Sequence, residues 1–239
     1  MTATTKADAN KPEAGKSAEP SAGAKNSEAD RKGTILRAAI EVFSKKGYHG
    51  CRIADVAKEA GVAYGLVYHY YKNKDELLQS VFEYGWSALV SRITERSMQG
   101  RTVEDKVRGI IEVAFEAYKT DPRAVKVLIL EVGRNPAGQS VNRGNAFGGA
   151  MEMAAVIFRD AQKRGELDPK LEAVLCAAMM FGAVEMGLTA LIMGLVDRKP
   201  EIIDAAAKQI ADTFLGGVLG DGSWKNEKSA TKSRALKRA

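Results

Sequence analysis

The chain has little with which to build strands, cross-links or an active site. Its two cysteines, Cys51 and Cys176, fall in segments that read as separate domains and lack C-x-x-C or other metal-ligand spacing, so no disulfide framework and no metal site are implied. Six prolines in 239 residues, and almost no alternation of β-branched or aromatic residues with polar ones, argue against a sheet. The histidines are His49 and His69 alone. There is no H-E-x-x-H, no glycine-rich phosphate loop behind a strand and no Ser/Cys-His-Asp set, so an enzyme is not expected and no cofactor is called for. The first thirty residues carry no apolar core between a charged start and a cleavage site, which excludes a secretory signal there and leaves the cytoplasm as the expected compartment.

What is present favours helix. Apolar residues make up 45% of the chain, enough for a real core, and long stretches are rich in Ala, Leu, Glu, Lys and Arg. The predicted class is all-α. The net charge of +6 is unevenly placed: residues 31–76 hold nine basic against five acidic side chains, residues 220–239 six against two, and the stretch between them is near balance. A small basic module on a neutral body points to a polyanionic partner at one end.

Four regions follow. Residues 1–27 have no large apolar side chain after Met1 and are expected to be a disordered tail, as are the basic residues 220–239, whose contribution to DNA affinity is weighed against a solvated tail without function. Residues 28–76 form a small helical module and 77–219 a larger helical domain. Nine helices are predicted. The first, capped by Ser27 or Asp30, buries Ile35, Ala38, Ala39, Val42 and Phe43 and ends at Lys45-Lys46-Gly47. Others cover about 53–60, 63–71 and 74–98, the last with Asn73 as cap and Glu76 three residues on. The remainder lie near 102–119, 122–133, 142–164, 170–196 and 200–218, separated by Asp121-Pro122, Gly133 to Pro136, Gly165 to Pro169 and Lys199-Pro200.

The most informative run is Ile53-Ala54-Asp55-Val56-Ala57-Lys58-Glu59-Ala60-Gly61-Val62, followed by Ala63-Tyr64-Gly65-Leu66-Val67-Tyr68-His69-Tyr70-Tyr71. Ile53, Val56, Ala57 and Ala60 make a short apolar stripe, Gly61 permits the left-handed turn and Val62 re-enters the core: the grammar of a helix-turn-helix. On the next helix Ala63, Val67 and Tyr70 share one side and Gly65, Tyr68 and His69 the other, with Tyr64 at the border. The second side is free to meet DNA.

This segment resembles the TetR family of regulators, including Phe43-x-x-x-Gly47-Tyr48 before it and Tyr68-His69-Tyr70-Tyr71-x-Asn73-Lys74-x-Glu76-Leu77-Leu78 after it. The resemblance covers about residues 31–80. It implies phosphate contacts from Tyr68, His69 and Lys74 and a place at the groove for Tyr64 and Gly65; Arg52 and Leu66 complete the candidate DNA-binding set. Leu66 would either touch a thymine methyl or pack, and packing is favoured. The chain departs from the family at Ala63 and Cys51, where Ser/Thr and Thr are usual, and the contacts those hydroxyls make are in doubt.

Beyond residue 80 the resemblance implies an effector domain and a dimer. Leu171–Val196 is almost wholly apolar and long enough to span a bilayer, but Glu185 near its middle and the lack of any other targeting feature favour a buried helix, so no membrane partner is expected. The candidate dimer-interface residues are Gly182 and Gly187 on this helix and Ile210 and Phe214 on the last, as the family's four-helix interface implies. The candidate effector lining is Trp86, Phe115, Tyr118, Phe147, Met151, Phe158, Met179 and Glu185, with ordinary core as the alternative for each and a dimer contact as the alternative for Glu185. Arg123, Lys126, Arg134 and Arg143 would meet a carboxylate or the phosphates of coenzyme A, or simply form a solvated face. The expected activity is that of an effector-released repressor on a palindromic double-stranded DNA operator, the effector being small and apolar, a fatty acid or acyl-CoA among the choices. An architectural or adaptor DNA-binding protein without effector is the alternative.

Overall fold

The computed structural model describes residues 22–132 and 141–220. The two expected disordered tails fall largely outside them, as do Arg134 and the side chains of Arg143 and Phe147. Among the described residues all regular secondary structure is helical: α1 (Ala22–Gly50), α2 (Ile53–Ala60), α3 (Tyr64–Tyr70), α4 (Lys74–Gln99), α5 (Val103–Thr120), α6 (Pro122–Lys126), α7 (Val141–Arg164), α8 (Ala173–Ile192) and α9 (Pro200–Leu219). Two expectations need correction. Helix α1 begins at Ala22, so neither Ser27 nor Asp30 caps it, and the helix expected over 122–133 is one turn of α-helix that widens into a π-helical segment, Val127–Val132.

Helix boundaries follow from local chemistry. Gly47 adopts φ 71° and breaks α1 where two lysines precede a glycine. Gly61, at φ 65°, ends α2 with its N–H on Lys58 O, while Val62 N–H reaches Ala57 O, so the chain reverses in one residue. Asn73 accepts the Glu76 N–H at 2.8 Å and starts α4. Thr102 and Asp105 exchange bonds at the head of α5, and Asp121 with Pro122 opens α6.

Two cores result. One gathers Ile35, Ala39 and Phe43 of α1, Val56 of α2, Val67 of α3, Tyr71, and Leu77, Leu78, Val81 and Phe82 of α4; Val127 of the π-helical segment is buried in it too. The other is built by α5, α7, α8 and α9 around Ile111, Phe115, Phe158, Leu167, Met180 and Leu191. Each fully buried Leu, Ile or Phe contributes about 1.5–3 kcal/mol. The first four apolar positions of α4 therefore belong to the small core, and the division expected at residue 76 falls inside one continuous helix. Helix α4 is the shaft that joins the two cores.

Candidate nucleic-acid interface and effector cavity

The α2–α3 pair leaves one face of α3 uncovered. Val67 is fully buried, whereas Tyr64 (53% exposed), Gly65, Tyr68 (43% exposed) and His69 face solvent, and Leu66 is half-buried. The two tyrosines on this face are ordered by each other: Tyr64 Oη donates to Tyr68 Oη at 3.2 Å, and the rings meet edge to face with centroids 5.0 Å apart. Nothing lies within 4 Å of the space a Cβ on Gly65 would fill, so a backbone or base can approach there. Arg52, exposed just before α2, donates its N–H to Asp55 Oδ2 at 2.8 Å; Asp55 also takes Lys46 Nζ at 2.7 Å, and those bonds, Lys46 first, hold its carboxyl below the usual carboxylate range. Ala63 caps α3 without a side-chain bond, and Cys51 buries its thiol against Tyr48 O at 3.3 Å. Both departures from the usual hydroxyls thus leave α3 and α2 without those side-chain caps.

Lys74 is placed differently from expectation. Its ammonium donates to Tyr48 O at 2.7 Å and Cys51 O at 3.0 Å and lies 4.3 Å from the centre of the Tyr48 ring. Two of its three N–H groups are thus taken inside the protein. The exposed Lys72, which the motif did not single out, presents a cation at the same corner; the only advance sign of it was the basic excess of the segment.

In the larger domain an apolar cavity of about 30 Å³ lies between α4, α5, α7 and α8, lined by Trp86, Val90, Ile93, Ile110, Met153 and Phe181 among others, with Ser97 as a polar group in its wall. Of the seven candidate effector residues whose side chains are described, only Trp86 lines it. Tyr118 and Phe158 are buried in the larger core and Met151 is half-buried against it. Phe115 lies instead under an open charged groove between α4, α5 and α9 that Arg96–Glu112, Arg108–Asp212 and Lys119–Asp204 pairs cross. Met179 and Glu185 are exposed on α8 and neither is among the residues that line the cavity, which corrects their assignment as its lining. Arg123 is paired with Glu41 and Asp121, and Lys126 Nζ donates to Ser44 O at 2.7 Å, so both tie α6 to α1 rather than forming a free basic face.

The four candidate interface residues also separate. Gly182 is exposed and open, and it shares a face of α8 with Leu175 (59%), Met179, Met186 (65%) and Met193. Gly187 is an internal packing residue: a Cβ there would lie 2.5 Å from Ile210 Cδ1 and 3.0 Å from Phe115 Cζ of the same chain. Phe214 packs on Phe158, ring centroids 6.0 Å apart. Gly187, Ile210 and Phe214 therefore hold α8 and α9 to their own subunit, because the glycine lets α9 approach closely.

Geometry and chemistry define a helix-turn-helix module joined by one long helix to an all-α domain with an internal cavity. Residues 35–81 match the family model of bacterial regulatory proteins of the tetR family, and residues 82–216 match that of the YsiA-like protein C-terminal region. The chain belongs to the TetR family of bacterial regulators. It is similar to the fatty acid metabolism regulator protein of Bacillus subtilis, 26% identical over 77% of this chain and 93% of the relative, and to the HTH-type transcriptional regulator UidR of Escherichia coli, 26% identical over 77% and 91%. Among solved structures it resembles the fatty acid degradation regulator FadR of Bacillus halodurans (TM-score 0.72, 25% identity, 78% of this chain and 95% of that one). It also resembles FadR of Bacillus subtilis in complex with stearoyl-CoA (TM-score 0.69, 26% identity, 77% and 98%).

Proposed function

We propose that the chain is a transcriptional repressor that binds a palindromic operator as a homodimer and is released from it by a long-chain acyl-CoA. The observation that carries the DNA-binding part is the uncovered face of α3, where Tyr64, Gly65, Tyr68 and His69 stand together above a helix-turn-helix whose opposite side is buried. Phenol and imidazole groups there would donate to phosphate oxygens while the glycine admits the groove wall. Selection of bound DNA from a random pool tests this. An inverted repeat is expected, and a site without symmetry, or no enrichment, would overturn it.

Support for the dimer comes from α8. Leu175, Met179, Gly182 and Met186 recur at helical spacing on an open apolar face, and the outward side of α9 carries the small residues Ala205, Gly216 and Gly217. Two such helix pairs related by a two-fold axis would bury this face and present two recognition helices to successive major grooves.

For the effector, the support is the stearoyl-CoA bound to the related FadR of Bacillus subtilis together with the apolar lining of the cavity between α4, α5, α7 and α8. At about 30 Å³ it has room for roughly one water, whereas ligand sites of this kind need about 300–1,000 Å³. An acyl chain must therefore part the helices around it. Trp86 in the cavity wall stacks on Phe82, ring centroids 5.6 Å apart, and Phe82 belongs to the small core. Displacing the indole would shift α4 under the DNA-reading unit and favour a dimer geometry that no longer fits the operator. Titrating the operator complex with acyl-CoAs of increasing chain length should release DNA with the long chains at lower concentration. Equal action of short and long chains, or none, would overturn the acyl reading.

A further inference from the structure

We propose that Lys32 of α1 and Lys72 of the turn between α3 and α4 make a further contact with the operator, a two-lysine clamp on the phosphate backbone beside the recognition helix; the inference rests on the operator-binding reading above. Lys32 lies three and four positions before the buried Ile35 and Leu36, so it continues the core-facing side of α1 one turn beyond the small core. An apolar side chain would be expected there. The lysine is exposed instead, and its ammonium stands over the face of the Tyr71 ring, 5.9 Å from the centre. That is close to the outer limit of about 6 Å for a cation–π contact, which holds the charge without engaging its N–H groups. Tyr71 is the residue that ends α3, and the exposed Lys72 follows it. Two cations from different elements thus border one buried ring. Among the described residues neither ammonium takes part in an ion pair; Glu76, whose carboxylate turns to this corner, uses an oxygen on the Lys72 backbone N–H at 2.7 Å.

The place of the pair points to its partner. Lys72 comes one helical interval after Tyr68, just beyond the end of α3. The seven residues of α3 span about 10 Å, and the phosphate strands that bound a major groove stand about 12 Å apart. Cations just past the end of so short a helix therefore meet a strand and not base edges. Helix α1 is continuous from Ala22, so Lys32 is carried on a rigid element and not on a tail. Phosphate oxygens would take up the free N–H groups of both lysines and relieve the repulsion between them. Such a contact carries no sequence information; it adds affinity and salt dependence.

The test is a binding titration of the full chain over a series of salt concentrations, on the operator obtained by selection and on an unrelated duplex. It compares the wild type with Lys32→Gln, Lys72→Gln and the double variant. Lys163→Gln, which removes an exposed charge from the larger domain, is the control. Each single variant is expected to bind both duplexes about five- to tenfold more weakly at about 0.1 M salt and to shallow the slope of log K against log salt by about 0.9. The double variant should shallow it by about 1.8, and the control should keep the wild-type slope. Lys72 is exposed in a turn, so Lys72→Gln keeps the test open should Lys32→Gln lose stability. Wild-type slopes in variants that still bind the operator would overturn the proposal alone. A loss confined to the operator would assign the lysines to base edges and overturn it too. Failure of the wild type to bind any DNA would remove the operator-binding reading and the clamp with it.

Discussion

Helices α3 and α8 each leave one face uncovered, and the two faces are made of different chemistry. On α3 the exposed groups are phenols, an imidazole and a glycine, able to donate hydrogen bonds and to let a backbone in close. On α8 they are Leu175, Met179 and Met186 beside Gly182, which have nothing to offer a polyanion and whose exposure to water costs free energy. Burial of each such side chain contributes about 1.5–3 kcal/mol. Exposure alone says nothing about the partner; the groups that remain exposed do. The contrast supports the proposal that the first face meets nucleic acid and the second a copy of the same chain.

Charging the apolar face gives the largest expected effect. Met186→Lys places like charges opposite one another across a two-fold axis, so sedimentation should show a monomer, and operator affinity should fall about a hundredfold or more because the two half-sites are no longer held together. The helix content should not change, since this side chain makes little contact within its own subunit. A dimer of undiminished affinity would mean that the α8 face has been misassigned.

Gly187→Leu sharpens the same comparison from the other side of the helix. The new side chain meets Ile210 and Phe115 of its own chain, and overpacking of this kind costs about 1–3 kcal/mol, so the urea midpoint should drop. The folded fraction should still dimerise. Loss of dimer at unchanged stability would move Gly187 to the interface. On α3, Tyr68→Phe removes the acceptor of the Tyr64 hydroxyl and a donor to phosphate; a loss of about 1 kcal/mol in operator affinity, with no change in thermal stability, is expected in a binding titration.

The sequence and structure agree best where interactions are local. Gly61, Asn73, Thr102 and Asp121 act on residues two to four positions away, and each helix boundary they set was legible from the chain alone to within a residue or two. The exposed face of α3 was legible too, because seven residues of helix leave few ways to bury Val67. Lys74 was not, since its partners lie 23 and 26 residues back across a bend. The proposed effector cavity was harder still. Helices α7 and α8 are apolar on more than one side, and only packing decides that Met153 and Phe181 turn to the cavity while Met179 turns to solvent. Gly187 and Gly182 are five residues apart on one helix and read alike as small residues that admit a neighbour; the neighbour of one is α9 of the same chain.

The smallest expected effect belongs to Tyr71, at the end of α3 on the buried side. Its ring is 2% exposed within the small core, and among the described residues its hydroxyl has no hydrogen-bond partner. A buried hydroxyl without a partner forfeits the bond it made to water, a penalty of about 1–3 kcal/mol that packing of the ring must offset. Removing the oxygen therefore costs little: Tyr71→Phe should leave stability unchanged or raise it by up to about 1 kcal/mol at neutral pH, read from urea unfolding, and should leave the α3 face untouched. The pH dependence separates this from a neutral surface change. Burial, reinforced by the nearby Glu76 carboxylate, pushes the phenol up to about 12 from an ordinary value near 10. With the folded value above the unfolded one, the stability associated with this group is fully present below pH 10 and is lost as the pH rises towards 12, because the unfolded chain releases the proton first. The phenylalanine variant cannot release one, so the difference in stability between variant and wild type should widen in favour of the variant across that interval. A variant less stable than wild type by more than about 1 kcal/mol at neutral pH would show that the hydroxyl is satisfied after all. The buried side of α3 would then share the polar character that now distinguishes its exposed side.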